Sequence, residues 1–142
     1  MTKIEKSFPH IFPVRVYYED TDAAGVVYHS NYLKFAERAR TEALRNAGFN
    51  QSELLSGSEK IGFAMRRCVV DFFKPARLDD LLTIHTRLHD INKVSMSMQQ
   101  MICKGDEKLV SLEVKIAVVG NDMKLAKMPD AIKKAIMREL EE

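Results

Sequence analysis

The segment from Tyr18 to His29, YEDTDAAGVVYH, carries the residues best suited to chemistry in this chain. Asp20 and Asp22 flank a threonine, and Gly25 follows among small residues. In a purely structural interpretation, the Asp and Thr side chains satisfy turn amides and Gly25 supplies a positive φ. The segment also lies directly before a predicted helix, whose unpaired N–H groups and dipole favour developing negative charge. The pattern therefore predicts a carboxylate facing an oxyanion-binding site.

The other candidate ligands do not indicate a metal. His85 and His89 have the H-x-x-x-H spacing that gathers zinc ligands on a helix. On a strand, the same step separates them by about 13 Å, at roughly 3.3 Å per residue. Cys68 and Cys103 are isolated in apolar surroundings, which predicts buried thiols in a reducing compartment. We therefore expect chemistry without a bound metal.

Length and charge exclude several classes of protein. The 142 residues (16.2 kDa) predict a single domain spanning residues 1–142. A balance of 22 Lys plus Arg against 20 Asp plus Glu argues against a nucleic-acid partner. We find neither the apolar stretch of a signal peptide, about 7–15 residues, nor one of the roughly 18–20 residues needed to cross a membrane. We expect a cytoplasmic protein with no integral membrane association.

A strand and a long helix must position the acidic segment. β-Branched and aromatic residues predict a first strand at 14–18. A helix is predicted at 31–47, where Ser30 or Asn31 can provide the cap and Gly48 the stop. Its enclosed face has residues at three- and four-residue steps: Tyr32, Ala36, Ala39, Ala43 and Ala47. The acidic segment is therefore expected to connect the strand to the helix.

The rest of the chain predicts a sheet for this helix to pack on. Apolar and polar residues alternate at 81–89, 94–103 and 109–119, and a less clearly phased strand is predicted at 62–74. The connections between the alternating strands are short and polar, which favours antiparallel neighbours. A short helix or loop is expected near 51–58, and an amphipathic helix near 129–141. The fold class expected is α+β, an antiparallel sheet with one apolar face against the long helix.

The segment YEDTDAAGVVYHSNYLKFAERAR resembles the signature of the 4-hydroxybenzoyl-CoA thioesterase group of the hotdog fold. Within that group it is similar to the YbgC-type acyl-CoA thioesterases associated with the Tol-Pal system. The likeness is dense over about residues 14–45 and continues more loosely, through FKPARLDD, to about residue 120. It implies a sheet wrapped around one central helix. It also implies a homodimer or homotetramer, with edge strands joined so that each active site lies between subunits.

The resemblance also implies an activity, hydrolysis of an acyl-CoA thioester to a free acid and coenzyme A without a cofactor. Asp22 matches the family's essential carboxylate, as a nucleophile or as a general base that activates water. Asp20 matches an acid that shapes the loop. The backbone N–H of His29 matches the oxyanion contact, and Gly25 lets the loop approach the substrate. A role for the His29 imidazole as acid, base or water orienter remains an alternative.

Further substrate contacts are candidates, each with a structural alternative. Three tyrosines, which are also suited to packing, are candidates to line the acyl or pantetheine site: Tyr18, Tyr28 and Tyr32. Three cations, which are also suited to solvated loops, are candidates for the coenzyme A phosphates: Lys74, Arg77 and Lys93. Four apolar residues are candidates for an acyl tunnel or for core: Phe63, Met65, Met96 and Met98. The basic region from Lys124 to Lys127 suits an acidic acyl carrier protein.

Two other functions compete with hydrolysis. One is a non-catalytic module that binds acyl thioesters or acyl carrier protein in the same cleft, against which the retained Asp22 argues. The other is a hotdog dehydratase or hydratase, which pairs a histidine with an acid in a different arrangement. Glu37 matches an acid that is catalytic in another thioesterase subgroup. We interpret it instead as an ion-pairing residue on the helix surface, with Arg40 or a neighbour of Arg38 as its partner.

Overall fold

Five strands form one antiparallel sheet in the computed structural model, which describes residues 7–141. The strands are β1 (His10–Arg15), β2 (Gly62–Phe72), β3 (Leu81–Ile91), β4 (Ser95–Lys104) and β5 (Glu107–Val119). The helices are α1 (Asn31–Asn46), α2 (Gln51–Ser56) and α3 (Asp130–Leu140). The order across the sheet is β1-β3-β4-β5-β2, so β1 and β2 are its two edges. Residues 1–6 and 142 of the predicted domain lie outside the described residues.

The core lies between α1 and one face of the sheet. Phe35, Ala36 and Ala39 of α1 are fully buried, and the small alanines let the helix lie close to the strands. The strands contribute the alternating residues that the sequence predicts for β4 and β5: Met96, Met98, Ile102, Val110, Leu112, Val114, Ile116 and Val118. Burial of each large apolar side chain contributes about 1.5–3 kcal/mol. The predicted α+β architecture is confirmed.

A buried polar side chain joins α1 to the sheet. Gln100 of β4 is fully buried, and its Nε2 group donates to the Ala36 carbonyl oxygen and to Thr86 Oγ1, both at 3.0 Å. Its Oε1 atom accepts a hydrogen bond from the Arg40 guanidinium at 2.9 Å. Because each polar group has a partner, this link fixes the position of α1 along β4 without leaving a buried group unpaired.

The first strand is present, but its predicted bounds, 14–18, are wrong. β1 runs from His10 to Arg15, and residues 18–20 form a single turn of 3₁₀ helix. The turn is held by the Asp20 carboxylate, which accepts the Tyr17 backbone N–H at 2.8 Å. This local bond overrides the strand propensity of the two tyrosines. Pro13 is tolerated inside β1 because an edge strand has one side free of ladder hydrogen bonds.

The remaining elements follow the predictions with small shifts. α1 ends at Asn46, and Gly48 has the left-handed φ of +105° expected at its stop. The 62–74 strand is β2, ending at Phe72, and a bulge between Met65 and Arg67 explains its irregular phase. α3 packs on α1 and β3 through the predicted apolar residues: Ile132, Ala135, Ile136 and Leu140. Within residues 7–141, no helix is long and apolar enough to span a membrane.

Candidate active site

Asp22 lies in a tight turn that presents its carboxylate to solvent. Its backbone N–H donates to the Val26 carbonyl at 2.9 Å, and the Gly25 N–H donates to the Asp22 carbonyl at 3.1 Å. Gly25 has a φ of +79°, a conformation that glycine adopts without strain. One Asp22 carboxylate oxygen, Oδ1, accepts the Ala24 N–H at 2.8 Å. The other oxygen accepts no hydrogen bond from the described residues, so it is available to a substrate or a water.

Asp20 holds the two ends of the loop together through hydrogen bonds. It is buried, and besides its bond to Tyr17, its carbonyl oxygen accepts the Tyr28 backbone N–H at 3.0 Å. The same carbonyl accepts the Asn31 side-chain Nδ2 group at 2.9 Å. Asp20 therefore connects the turn, the end of the loop and the first residue of α1.

The start of α1 supplies unpaired backbone donors. Asn31 donates its backbone N–H to the Tyr28 carbonyl, but in the part of the chain described here the N–H groups of His29 and Ser30 donate to no acceptor. Both residues are exposed. Ser30 makes no side-chain cap, and the Asn31 side chain bonds Asp20 instead, so neither residue caps the helix as predicted. The free amides therefore keep the positive end of a 16-residue helix open to an anion.

The three candidate tyrosines lie in different environments. Tyr18 is 83% exposed and Tyr28 is 47% exposed, with the Tyr28 ring centroid 4.3 Å from that of His29. Tyr32 is buried, and its hydroxyl oxygen accepts the Ala76 N–H at 3.0 Å. Burial raises the pKa of Tyr32, and the nearby Asp22 charge adds to the effect. Tyr18 and Tyr28 thus flank the loop at the surface, whereas Tyr32 packs in the core.

The segment after β2 lies beside the acidic loop. The Val27 N–H donates to the Ala76 carbonyl at 2.9 Å, and Val26 pairs with Arg77. Burial raises the pKa of Asp80, but the Arg77 backbone N–H and the Lys104 ammonium outweigh it and lower that pKa. The hydrogen bond to Asp80 fixes the backbone of Arg77, and the Arg77 side chain is exposed near the loop.

The three candidate cations do not converge on the loop within one chain. Lys74 lies two residues from Ala76 and forms an exposed ion pair with Glu107 at 3.6 Å. Lys93 follows the far end of β3, whose 11 residues separate it from the loop by about 30 Å. The structure therefore brings Lys74 and Arg77 close to the Asp22 loop and leaves Lys93 at the opposite end of the sheet.

A cavity of about 290 Å³ runs beside α1. All four residues that the sequence suggested for an acyl tunnel line it: Phe63, Met65, Met96 and Met98. Glu37 and Arg40 also line it, so the exposed Glu37 borders a cavity rather than open helix surface alone. Ile136 and Leu140 of α3 line it as well, and sequence reasoning gave no signal for them beyond their apolar spacing.

The two histidines with metal-like spacing lie on β3, as predicted. His85 is buried, with its Nε2 atom 2.9 Å from Thr83 Oγ1 and its ring against Phe8, whereas His89 is exposed. Within residues 7–141, no three His, Cys, Asp or Glu side chains are grouped to hold a metal ion. Burial raises the pKa of the Cys103 thiol to about 11, and Cys68 is half-buried.

Comparisons with known proteins identify the family of this chain. The model of the thioesterase-like superfamily matches residues 16–136. Acyl-CoA thioester hydrolase YbgC of Escherichia coli is 43% identical over 131 residues, 92% of this chain and 95% of the relative. Acyl-CoA thioesterase YbgC of Haemophilus influenzae is 42% identical over 125 residues, 87% and 91% of the two chains. The crystal structure of a probable thioesterase from Bartonella henselae has a TM-score of 0.82 at 43% identity, covering 84% and 98%.

The chain therefore belongs to the thioesterase-like superfamily, and its architecture is the hotdog fold. It is an enzyme of the thioester hydrolase class. Within that class, its similarity extends over most of its length to thioesterases of the YbgC type.

Proposed function

We propose that this protein hydrolyses acyl-CoA thioesters and that Asp22 is its catalytic carboxylate. The proposal rests on one observation: the Asp22 carboxylate, which has an unpaired oxygen, and the free His29 and Ser30 amides at the start of α1 belong to the same loop. The hydrogen bonds of the Asp20 carbonyl hold this loop together. The YbgC relatives, which are named as acyl-CoA thioesterases, support the substrate class.

The thioester carbonyl oxygen accepts hydrogen bonds from the His29 and Ser30 amides, which stabilise the negative charge that develops there. Such a donor contributes about 2.7–4 kcal/mol in enzymes that use it. As a general base, Asp22 removes a proton from water, the resulting hydroxide attacks the carbonyl carbon, and the C–S bond breaks. The coenzyme A sulfur then leaves and takes up the proton. As a nucleophile, Asp22 instead attacks the carbonyl carbon and displaces the coenzyme A thiolate, which leaves a mixed anhydride. Water hydrolyses the anhydride, which releases the acid, regenerates the Asp22 carboxylate and supplies the proton that the thiolate takes up.

The test measures thiol release from acyl-CoAs of graded chain length and from an aromatic acyl-CoA. Asp22→Asn and Asp22→Ala are expected to lower kcat/KM by about 10²–10⁴-fold with the fold intact by circular dichroism. Glu19→Gln is the matched control, because it neutralises an exposed acid three residues away and is expected to keep full activity. If the wild type binds the thioesters and releases no thiol, the non-catalytic binding module is the correct function.

We also propose that acyl carrier protein is a carrier for the acyl group. The segment after β5 exposes Lys124 and Lys127, together with Met123 and Leu125 at 72% and 63%. Cations interleaved with exposed apolar side chains suit an acidic helical partner. The same assay with acyl carrier protein thioesters tests this, and equal rates for Lys124→Glu and wild type on both carriers would contradict it.

Two copies of the chain are proposed to join along β2. This edge strand has 11 residues without proline, and it exposes Met65, Val69 and Phe72 at 42%, 41% and 53%. A long, apolar, unpaired edge is a template for pairing with another chain. The opposite edge, β1, has six residues with Pro13 among them, which disfavours pairing there. Joining at β2 gives the homodimer, or half of the homotetramer, that the family resemblance implies.

A further inference from the structure

The cavity beside α1 follows the length of that helix. Its wall includes one stripe of α1 at three- and four-residue steps: Leu33, Glu37, Arg40, Thr41 and Leu44. Leu33 lies two residues after Asn31, at the helix end where the His29 and Ser30 amides are free. Leu44 lies about 16 Å further along the helix axis. The cavity therefore extends from the first turn of α1, which follows the Asp22 loop in the chain, to the last turns of that helix.

The size and lining of the cavity suit the acyl part of a thioester. Met96 and Met98 of β4 line the cavity, and methionine side chains adapt their shape to different apolar ligands. The volume of about 290 Å³ is roughly twice that of the ~150 Å³ cavity known to hold benzene. The half-buried Arg40 guanidinium in the wall donates a hydrogen bond to Gln100. An acyl group of moderate length fits such a site.

Helix α3 closes the far end of the cavity. Ile136 and Leu140 line it and are almost completely buried, next to Ala43 and Leu44 of the last turns of α1. Burial lowers the pKa of His10, whereas the charges of Glu139 and Glu42 both raise it. Because Glu139 of α3 and Glu42 of α1 both act on His10, the end of α3 lies beside residues 42–44 and away from the Asp22 loop.

We propose that Leu140, with Ile136, forms the end wall that sets the longest acyl group the enzyme hydrolyses. This inference rests on the proposed acyl-CoA hydrolysis and assigns a specificity role to the C-terminal helix. A bulky end wall excludes acyl groups whose terminal carbons would overlap it. A smaller one admits them, and each methylene accommodated or excluded changes kcat/KM by about 10–200-fold.

The test compares kcat/KM over a series of saturated acyl-CoAs for four proteins. Leu140→Ala is expected to raise the ratio of long-chain to short-chain kcat/KM by about tenfold or more relative to wild type. Ala43→Leu adds volume to the same end and is expected to lower that ratio. Ile132→Ala is the control, because Ile132 is equally buried on α3 but does not line the cavity, and its chain-length profile is expected to match wild type.

The outcomes separate this inference from the proposed function. If the wild type releases no thiol from any acyl-CoA, the proposed function fails and the end-wall role fails with it. If the wild type is active and both Leu140→Ala and Ala43→Leu keep its chain-length profile, the end-wall role alone is overturned. Ala43→Leu removes no buried contact, so it decides the question even if Leu140→Ala does not fold. The same profile shift in Ile132→Ala would also overturn the inference, because it would reflect loosening of α3 rather than the wall.

Discussion

Asn31 holds the first turn of α1 against the loop that carries Asp22. Its side chain is buried and bonds the Asp20 carbonyl, while its backbone bonds the Tyr28 carbonyl. The position of the His29 and Ser30 amides relative to Asp22 therefore depends on Asn31, although its side chain carries out no chemistry.

Asn31→Ala leaves the Asp20 carbonyl with the Tyr28 N–H as its one remaining donor. We expect the free energy of unfolding to fall by about 0.5–1.5 kcal/mol, the net contribution of one hydrogen bond, because the Tyr28 N–H still satisfies the carbonyl. We also expect kcat to fall, since the free amides lose their fixed position. Urea unfolding and thiol release measure the two effects. Asn46→Ala, at the exposed end of α1, is the control, and equal stability of the two variants would contradict this role.

At the scale of single residues, the sequence predicted the features that depend on residues close together in the chain. The small residues around Gly25 indicated its left-handed turn, and the helical spacing placed Tyr32 on the enclosed face. The bond from Asn31 to Asp20 spans 11 residues and has no local pattern, so the sequence suggested a helix cap instead. The sequence also did not predict that Lys93 lies far from the loop. β3 starts near the loop and runs away from it for 11 residues, and this direction is a property of the whole sheet.

β1 begins at a buried histidine, which lies within the electrostatic influence of Glu42 of α1 and Glu139 of α3. His10 is 5% exposed, and among the described residues its Nδ1 atom has no hydrogen-bond partner. Burial lowers the pKa of His10 below its ordinary value, and the charges of Glu139 and Glu42 offset this in part. The folded protein therefore favours the neutral imidazole.

This histidine makes stability depend on pH. Below about pH 6.5 the unfolded chain protonates His10 while the folded chain keeps it neutral, so the free energy of unfolding falls with falling pH. The loss levels off once the pH is below the lowered pKa of the folded state. His10→Phe is expected to reduce this slope in urea unfolding between pH 5.5 and 7.5. His89→Gln, which changes an exposed histidine, is expected to keep the wild-type slope. Equal slopes for His10→Phe and wild type would show that His10 is not the source.

Among the elements, the central ones were the most predictable. α1 and most of β5 bury one face, so their burial pattern repeats directly in the sequence. β3 and β4 follow the same alternation in part, but at 84–86 and 100–103 both faces are buried. The edge strands were less predictable for physical reasons. β1 contains a proline that a central strand would not tolerate, and β2 has a bulge and few fully covered side chains. The pairing of β1 with β3 depends on the whole fold rather than on either segment.

At the scale of the whole molecule, the proposed dimer predicts a mass of about twice 16.2 kDa, or four times for the tetramer. Val69→Lys places a charge on the open edge of β2 and is expected to shift the mass toward the monomer, because like charges approach across the joined strands. Ile11→Lys places the same charge on the exposed side of β1 and is expected to leave the mass unchanged. Sedimentation equilibrium measures both. An unchanged mass for Val69→Lys, or dissociation by Ile11→Lys, would contradict joining at β2.

The strand order also determines which strands unfold locally before the rest of the protein. β3, β4 and β5 are consecutive in sequence and form a meander, whereas each edge strand must find a partner far along the chain. Once the subunits have dissociated, amide hydrogen exchange is therefore expected to be fastest in β1 and β2 and slowest in β4. The Asp22 loop directly follows β1, and the proposed subunit contact is β2. Mild denaturant is thus expected to abolish activity and association while the meander still protects its amides, so loss of function precedes global unfolding.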